Sequence, residues 1–261
     1  MLNKKLTYPK VTIITATYNS AKTVKDTLTS IAEQNYPNIE HVVVDGLSKD
    51  NTLDIVQSFS HVAKVISEKD KGIYDAMNKG IGLATGEIVG ILNSDDFYSH
   101  SEVVSNIVRC FQEDNNVMAV YADLVFVDES DTSKVKRTWL AGDYKKEKFL
   151  FGWMPPHPTF FVKKEVYEAF GTFNTNLKSA ADYELMLRFL YKHNIKVVYL
   201  PDILIKMRMG GQSTASLSNR LKANKEDRAA WQLNELQPKF YTTFLKPLRK
   251  LNQFLIRLEV H

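Results

Sequence analysis

The stretch Ile88-Val89-Gly90-Ile91-Leu92-Asn93-Ser94-Asp95-Asp96 is the part of the sequence that decides the fold class. Its first five residues are apolar and predict a short buried strand, which ends abruptly in polar residues. Two adjacent carboxylates at the carboxyl end of a strand need a positive partner, and ligands bind at that end in open α/β sheets. A Mg²⁺ or Mn²⁺ ion bridging to substrate phosphates would supply the charge. The alternative is that Asp95 or Asp96 caps a helix beginning near Ser99.

Outward from this stretch, apolar strands alternate with amphipathic helical segments. Strands are predicted at 11–16, 41–44, 62–66, 88–92, 117–127, 135–139, 159–162 and 197–200, and the clearest late helix at 183–191. The first four strands recur about every 25 residues, a spacing that predicts βαβ units. We therefore expect an α/β fold with a Rossmann-like, mostly parallel central sheet flanked by helices.

Polar side chains follow the first, second and fourth strands, at Thr17, Asp45 and Asp95/Asp96. The carboxyl ends of parallel strands meet at one edge of a sheet, so we expect these groups to lie together. In that position Asp45 can accept hydrogen bonds from a base, and Asp95 from ribose hydroxyls. The edge is thus predicted to be a nucleotide site.

The composition is typical of a water-soluble globular protein, with 44% hydrophobic and 25% charged residues in 261. No apolar run approaches about 18 residues, and the first ten residues lack the apolar core of a secretory signal. Cys110 is the only cysteine, so it cannot form an internal disulfide, and we expect it in the core of a helix. These features predict a cytoplasmic protein.

The basic character of the chain is concentrated at its C-terminus. Nine basic and four acidic side chains lie between Arg220 and His261, so this segment carries +5 and the other 219 residues −1. We expect no nucleic-acid partner, a catalytic domain at 1–215 and a basic amphipathic helical extension at 216–261. Apolar residues of the extension recur every three or four positions: Phe240, Phe244, Leu248, Leu251, Leu255 and Leu258. This stripe either lies in the inner face of the cytoplasmic membrane, or packs on the domain or on a second subunit.

Six short motifs follow one another between residues 10 and 215. They are VTIITATYN at 11–19, QNYPNIEHVVVDGLSKDNT at 34–52, DKGIYDAMNKG at 70–80, NSDD at 93–96, HPTFF at 157–161 and ADYELMLR at 181–188. In this order they resemble the family 2 inverting glycosyltransferases, which have the GT-A fold. The nearest resemblance is to enzymes that build bacterial surface polysaccharides.

The resemblance implies a role for individual residues. The donor-binding set would comprise Thr15, Thr17 and Asn19 around the nucleotide, Asp45 at uracil, Asp70 at base and ribose, Asp95 at the ribose, and Asn78, His157 and Arg208. Asp96 would be the direct ligand of a divalent Mn²⁺ or Mg²⁺ ion. Asp182 would be the general base. His157 alternatively is a structural loop histidine, since prolines flank it, and Asp182 alternatively interacts with its helix dipole.

Two positions depart from the family pattern. Ala181 stands where the family usually has a Glu, so Asp182 lacks a neighbouring carboxylate that would have raised the pKa of the base. Met77 stands where many members have an Arg, which leaves Lys79 or Arg208 as substitutes for contact with the diphosphate.

The expected reaction is inverting transfer of a sugar from a nucleoside-diphosphate sugar, most naturally a UDP-sugar, to a hydroxyl of a glycan or lipid-linked saccharide. A metal would stabilise the departing diphosphate, and a carboxylate would take the proton of the attacking hydroxyl. Two alternatives remain. One is a nucleotidyltransferase that makes the sugar nucleotide, although the loop 17–22 lacks the glycine such enzymes usually have. The other is a non-catalytic nucleotide-sugar-binding module.

Overall fold

A computed structural model describes residues 8–210, 217–242, 244–246, 249 and 253, without the side chains of 217–223. The strands are β1 (Val11–Thr17), β2 (Ile39–Asp45), β3 (Val62–Ser67), β4 (Ile88–Ile91), β5 (Phe97–Tyr98), β6 (Ala119–Val127), β7 (Val135–Trp139), β8 (Phe161–Lys163) and β9 (Val197–Arg208). The α-helices are α1 (Val24–Ala32), α2 (Thr52–Gln57), α3 (Ile73–Leu83), α4 (Val103–Glu113), α5 (Lys164–Phe170), α6 (Ala181–Met186) and α7 (Leu217–Leu233). Short 3-10 helices span Lys146–Phe151 and His157–Thr159, and a π-helical turn, Leu187–Lys192, continues α6.

Within the described residues the strands form one sheet in the order β3-β2-β1-β4-β8-β6-β9-β5, with β7 paired to β6. The first four strands are parallel, as their spacing predicted. Antiparallel pairs enter with β8, which lies between β4 and β6, and β6 pairs parallel with β9. The predicted α/β class is confirmed. The second half of the sheet is mixed, because its chain connections are hairpins and long returns as well as βαβ crossovers.

Both faces of the sheet are covered by apolar side chains, which explains why β1, β2 and β4 read as continuous apolar runs. Helix α3 packs very closely on β1: a Cβ added to Gly80 would lie 2.3 Å from Ile14 Cγ2. Gly82, two residues further along α3, has nothing within 4 Å of an added Cβ. Cys110 is buried in α4, as expected. None of the described helices is long and apolar enough to cross a membrane.

Helix α7 and the residue that follows it pack on α6. Trp231 of α7 is fully buried and its Nε1 donates to the Tyr183 hydroxyl at 2.9 Å. Asn234 Nδ2 donates to Glu184 Oε1 at 3.0 Å. The division at 215/216 stays a prediction. Of the predicted apolar stripe, Phe240 and Phe244 are described and exposed, whereas Leu248, Leu251, Leu255 and Leu258 lie outside the described residues.

Candidate donor and active site

The carboxyl edge of the parallel strands carries the predicted polar groups in register. Thr17 is the Cα partner of Asp45 at the ends of β1 and β2, and the Gly46 amide donates to the Thr17 carbonyl at 2.9 Å. β4 lies on the other side of β1 and leads into Asn93–Asp96. The Thr17 hydroxyl is buried and has no hydrogen-bond partner among the described residues.

Asp45 is fully buried and organises the turn that follows β2. Its Oδ2 accepts from the Ser48 amide at 2.9 Å and from Ser67 Oγ at 2.7 Å, and its Oδ1 accepts from Ser48 Oγ. An ionised carboxylate offers about four acceptor positions. One acceptor position on Oδ1 is therefore not used by these three bonds.

A shallow cradle forms beside this turn from Tyr18, Asn19, Gly46 and Asp70. Asn19 has a positive φ of 51° and its Oδ1 accepts from the Lys49 amide at 2.8 Å. Asp70 Oδ2 lies 2.4 Å from where a Cβ on Gly46 would be, so only glycine admits this approach. Tyr18 flanks the same glycine and is 54% exposed. Tyr18 is part of the motif at 11–19 but was given no role of its own; an aromatic residue directly after the first strand is the signal that points to it.

The Asp95-Asp96 pair is buried to an unusual degree. Asp96 is fully buried, its Oδ1 has no hydrogen-bond partner among the described residues, and its Oδ2 accepts only a long bond of 3.4 Å from Asn93 Nδ2. Burial, and then the charge of Asp95, raise the pKa of Asp96 well above its usual value. Burial also raises the pKa of the half-buried Asp95. The Thr27 hydroxyl fixes this turn by donating to the Asp96 carbonyl at 2.7 Å.

The helix-cap alternative for Asp95 and Asp96 is wrong. β5 follows the pair at Phe97, and α4 begins only at Val103 with Glu102 as its N-cap residue. Among the described residues no group of three or more His, Cys, Asp or Glu side chains is placed to hold a metal ion. Any ion here would thus depend on the aspartate pair, together with substrate oxygens and water.

Arg208, at the end of β9, is held against the same turn. Its Nη1 donates to the Asp95 carbonyl at 2.8 Å, Nη2 forms an ion pair with Asp26, and the guanidinium lies 4.9 Å from the ring centroid of Phe97. Two of its donors are thereby used by protein. Lys79, the other candidate for the diphosphate, pairs with Glu68 at 2.9 Å.

Asp182 lies in the first turn of α6 and is half-buried. Its Oδ1 accepts from the Tyr183 amide at 2.8 Å and from the Tyr74 hydroxyl at 3.3 Å. Within the described part of the chain Oδ2 has no hydrogen-bond partner. Tyr74 stacks on Phe173, and His157 contacts the same ring edge-on, with centroid distances of 5.5 and 5.6 Å.

The side chains near Asp182 link it to the loop that carries Asp70. Burial lowers the pKa of His157, and the nearby charge of Asp182 opposes that shift. Tyr74 lies at the start of α3, directly after the loop in which the Gly72 amide donates to Asp70 Oδ1 at 2.9 Å. Tyr74 thus connects the Asp70 loop with Asp182, a contact between residues 108 positions apart that sequence periodicity does not reveal.

Two predicted residues use their side chains inside the protein. Thr15 Oγ1 is buried and lies 3.0 Å from His41 Nε2, between β1 and β2. Asn78 bonds both the amide and the carbonyl of Phe173, at 2.9 and 2.8 Å, and so ties α3 to the loop before α6. The structure does not bring either side chain to the edge with Asp45 and Asp95, and their donor contacts stay predictions without support.

The sequence and fold define the class of protein. The family model described as Glycosyl transferase family 2 matches residues 12–169, and the chain belongs to that family. A glycosyltransferase of Rickettsia typhi is 29% identical, with 99% of this chain and 79% of the relative aligned. A "PGL/p-HBAD biosynthesis glycosyltransferase" of Mycobacterium bovis is also 29% identical, over 69% of each chain.

Solved structures of the same architecture confirm the GT-A fold. S. aureus TarS 1-349 in complex with UDP-GlcNAc has a TM-score of 0.68 at 19% identity, covering 94% of this chain and 72% of that one. The mannosyltransferase PcManGT from Pyrobaculum calidifontis, in complex with GDP-Man and Mn²⁺, has a TM-score of 0.66 at 22% identity, covering 96% and 70%. At these identities the likeness establishes the fold alone.

Proposed function

We propose that the protein transfers a sugar, with inversion, from a nucleoside-diphosphate sugar to a hydroxyl acceptor. The observation that carries the proposal is the pairing of two different carboxylate sites. Asp96 has a buried oxygen without a partner, and Asp182 has one anchored and one unoccupied oxygen. In such a pair, one carboxylate acts at the leaving diphosphate and the other accepts the proton of the attacking hydroxyl.

The donor is proposed to be a UDP-sugar bound along the carboxyl edge of β1, β2 and β4. Asp45 Oδ1 retains an acceptor position suited to the N–H of uracil, and exposed Tyr18 offers a ring face beside Gly46. Asp70 and Asp95 supply acceptors for ribose hydroxyls. The UDP-GlcNAc complex of TarS, a protein of the same fold, supports this choice of donor class.

The residues at the β4 turn fit a divalent cation. A fully buried carboxylate oxygen without a partner is costly by itself, and Asp96 and Asp95 both carry raised pKa values that a cation would reverse. Asp96 would hold Mn²⁺ or Mg²⁺, with Asp95 beside it. When bound, the ion would neutralise charge on the departing diphosphate.

Asp182 is proposed to be the general base. The Tyr183 amide and the Tyr74 hydroxyl fix Oδ1, which leaves Oδ2 to accept the proton of the acceptor hydroxyl. The hydroxyl oxygen attacks the anomeric carbon on the face opposite the diphosphate, the bond to the diphosphate oxygen breaks, and the configuration inverts. His157 contacts Phe173, the ring on which Tyr74 stacks, and is proposed to border the acceptor.

The acceptor is proposed to be a glycan or a lipid-linked saccharide of bacterial surface-polysaccharide synthesis, used at the inner face of the cytoplasmic membrane. The relative from Mycobacterium bovis, described as acting in PGL/p-HBAD biosynthesis, supports this class.

The test is turnover of a panel of sugar nucleotides with Mn²⁺, with Mg²⁺ and with EDTA, followed by chromatography of the nucleotide products. Wild type should release a nucleoside diphosphate from one donor in Mn²⁺ and lose that activity in EDTA. Asp96→Asn should be inactive, whereas the exposed Asp54→Asn should match wild type. Formation of a nucleoside triphosphate and a sugar 1-phosphate when pyrophosphate is added would indicate a nucleotidyltransferase. Binding without turnover would indicate a binding module. Either result contradicts the proposal.

A further inference from the structure

An exposed cluster of aromatic side chains lies where the C-terminal segment packs on the 146–151 helix. Phe151, Phe240 and Phe244 are 48%, 86% and 67% exposed. Tyr241 stacks on Phe151 and meets Phe240 edge-on, with centroid distances of 5.7 and 5.1 Å. We call these four residues the aromatic surface. Contiguous exposed apolar groups of this kind mark an interaction site.

The fold itself holds this surface in place. Thr242 is fully buried, and its hydroxyl donates to the Leu150 carbonyl at 2.6 Å. Gly152 has a positive φ of 75°, and a Cβ there would lie 2.5 Å from the amide nitrogen of Lys246. Lys246 Nζ pairs with Asp227 at 2.5 Å. The aromatic residues are therefore displayed by a packed segment rather than by a free tail.

The two segments that carry the aromatic surface also carry basic residues, which we call the basic rim. The rim consists of five cations: Lys145, Lys146, Lys148, Lys239 and Arg249. The acidic residues in the same stretches are Asp143 and Glu147. Burial, and then repulsion by the positive charge of Arg249, lower the pKa of Lys148, and the negative charge of Asp143 opposes that shift. An anionic partner would relieve that repulsion.

This combination selects one kind of partner. In a two-fold dimer through this surface, each basic rim would face its own copy, and the like charges would repel. Aromatic side chains within a basic rim instead match a bilayer interface, where rings insert at the headgroup level and cations face anionic lipid. We infer that the aromatic surface docks the protein on an anionic membrane.

The surface also lies behind the candidate base. Lys246 Nζ is 3.7 Å from the ring centroid of Tyr183, the residue after Asp182 in α6. Docking through the aromatic surface would therefore bring α6, which contacts the same C-terminal segment, near the membrane. The docking inference stands without the proposed reaction, because it depends only on the surface.

The experiment is co-sedimentation of the full chain with vesicles containing phosphatidylglycerol, at low and high salt, against neutral phosphatidylcholine vesicles. Wild type should co-sediment with the anionic vesicles at low salt and should not co-sediment with the neutral vesicles. Phe240→Ser with Phe244→Ser should weaken binding at least about tenfold. Lys145→Gln with Lys239→Gln should weaken it about 30-fold, since one cation near an anionic leaflet contributes about fivefold, or about 1 kcal/mol. Tyr8→Ser with Lys10→Glu, outside the surface, is the matched control and should bind as wild type.

Thermal melting checks that each variant is folded, and nucleoside diphosphate release from a soluble donor separates docking from turnover. Folded phenylalanine variants that lose vesicle binding but keep turnover support the inference. Wild type that binds vesicles but shows no turnover also supports it, and contradicts only the proposed reaction. The inference is overturned if wild type ignores anionic vesicles at low salt. It is also overturned if the phenylalanine variants bind like wild type, or if they convert a solution dimer to a monomer without any change in vesicle binding.

Discussion

Replacing Asp96 with asparagine should stabilise the protein in the absence of metal while abolishing its response to metal. The Asp96 carboxylate is fully buried, its Oδ1 has no partner among the described residues, and Asp95 adds a like charge beside it. The buried Asn93 Oδ1 also lacks a partner in the described chain. An asparagine at 96 removes the buried charge and its repulsion with Asp95, while the Asn93 amide can still donate to the side-chain oxygen.

The size of the effect follows from the groups relieved. A buried polar atom without a hydrogen bond costs about 1–3 kcal/mol. For a chain of this length about 1 kcal/mol corresponds to about 2 °C in melting temperature, so the variant should melt about 2–6 °C higher in EDTA. With Mn²⁺ and UDP at about 100 times their dissociation constant, wild type should gain about 2.7 kcal/mol and the variant nothing.

Differential scanning fluorimetry of both proteins, in EDTA and in Mn²⁺ with UDP, is the assay. The order of stability should reverse between the two conditions, and the exposed Asp54→Asn should follow wild type in both. A variant that melts below wild type in EDTA would show that the carboxylate is not under electrostatic strain. An equal gain from Mn²⁺ and UDP in both proteins would show that Asp96 does not hold the metal.

Three further predictions concern the base, the core and pH. Tyr74→Phe should lower kcat about tenfold with little change in donor KM. The substitution keeps the ring stacking but removes a long hydrogen bond to the Asp182 carboxylate, worth about 1.5 kcal/mol. Steady-state kinetics in which donor KM alone changes would contradict this. Gly80→Ala should lower the free energy of unfolding by about 1–3 kcal/mol, because the added Cβ would meet the side chain of Ile14. Gly82→Ala should raise it by about 0.5–1 kcal/mol, because nothing lies near the added Cβ. Shifts of the same sign in urea unfolding would refute the packing argument. Burial, and then His61, lower the pKa of His41 from 6.5 to about 3, so its contribution to stability is present above pH 6.5 and is lost as pH falls toward 3. Wild type should therefore lose about 2 kcal/mol more than His41→Asn between pH 6.5 and 5, and parallel pH profiles of unfolding would exclude this role.

The first half of the fold was predictable because its signals are local. Strands β1, β2 and β4 are largely apolar and buried, β3 alternates between half-buried and exposed residues, and helical periodicity separates all four, so their parallel pairing follows from the spacing. The second half depends on distant contacts. The predicted strand at 197–200 continues to Arg208 through Pro201, which the sheet accommodates at a register irregularity opposite Ala122 and Asp123. The seven-residue α5 is too short for periodicity to predict.

The candidate site divides in the same way. Strand register brings Asp45, Asp95 and Asp96 to one edge, and that much follows from sequence. The hydrogen-bond partners that decide whether a side chain is free to contact a ligand do not follow from sequence. The Thr15 hydroxyl forms a hydrogen bond with His41. The side-chain amide of Asn78 bonds the backbone of Phe173, 95 residues away. Such hydrogen bonds between distant residues have no signature in periodicity or spacing.

The contact between Arg208 and the β4 turn shows why charge alone does not assign a role. From sequence, Arg208 was a candidate for the donor diphosphate. In the fold its guanidinium bonds the Asp95 carbonyl and pairs with Asp26, 182 positions earlier. The sequence did not predict its partner Asp26, because Asp26 reads simply as an exposed acid on α1.

The most direct test of the proposed reaction is the rate of nucleoside diphosphate release by wild type and by Asp182→Asn, at saturating donor and acceptor. The substitution keeps the shape of the side chain and removes its capacity to take a proton. We predict a loss of at least about 10²-fold in turnover with donor affinity unchanged, the low end of the effect for a general base. Undiminished turnover in the folded variant would contradict the assignment of Asp182 and with it the mechanism proposed for this glycosyltransferase.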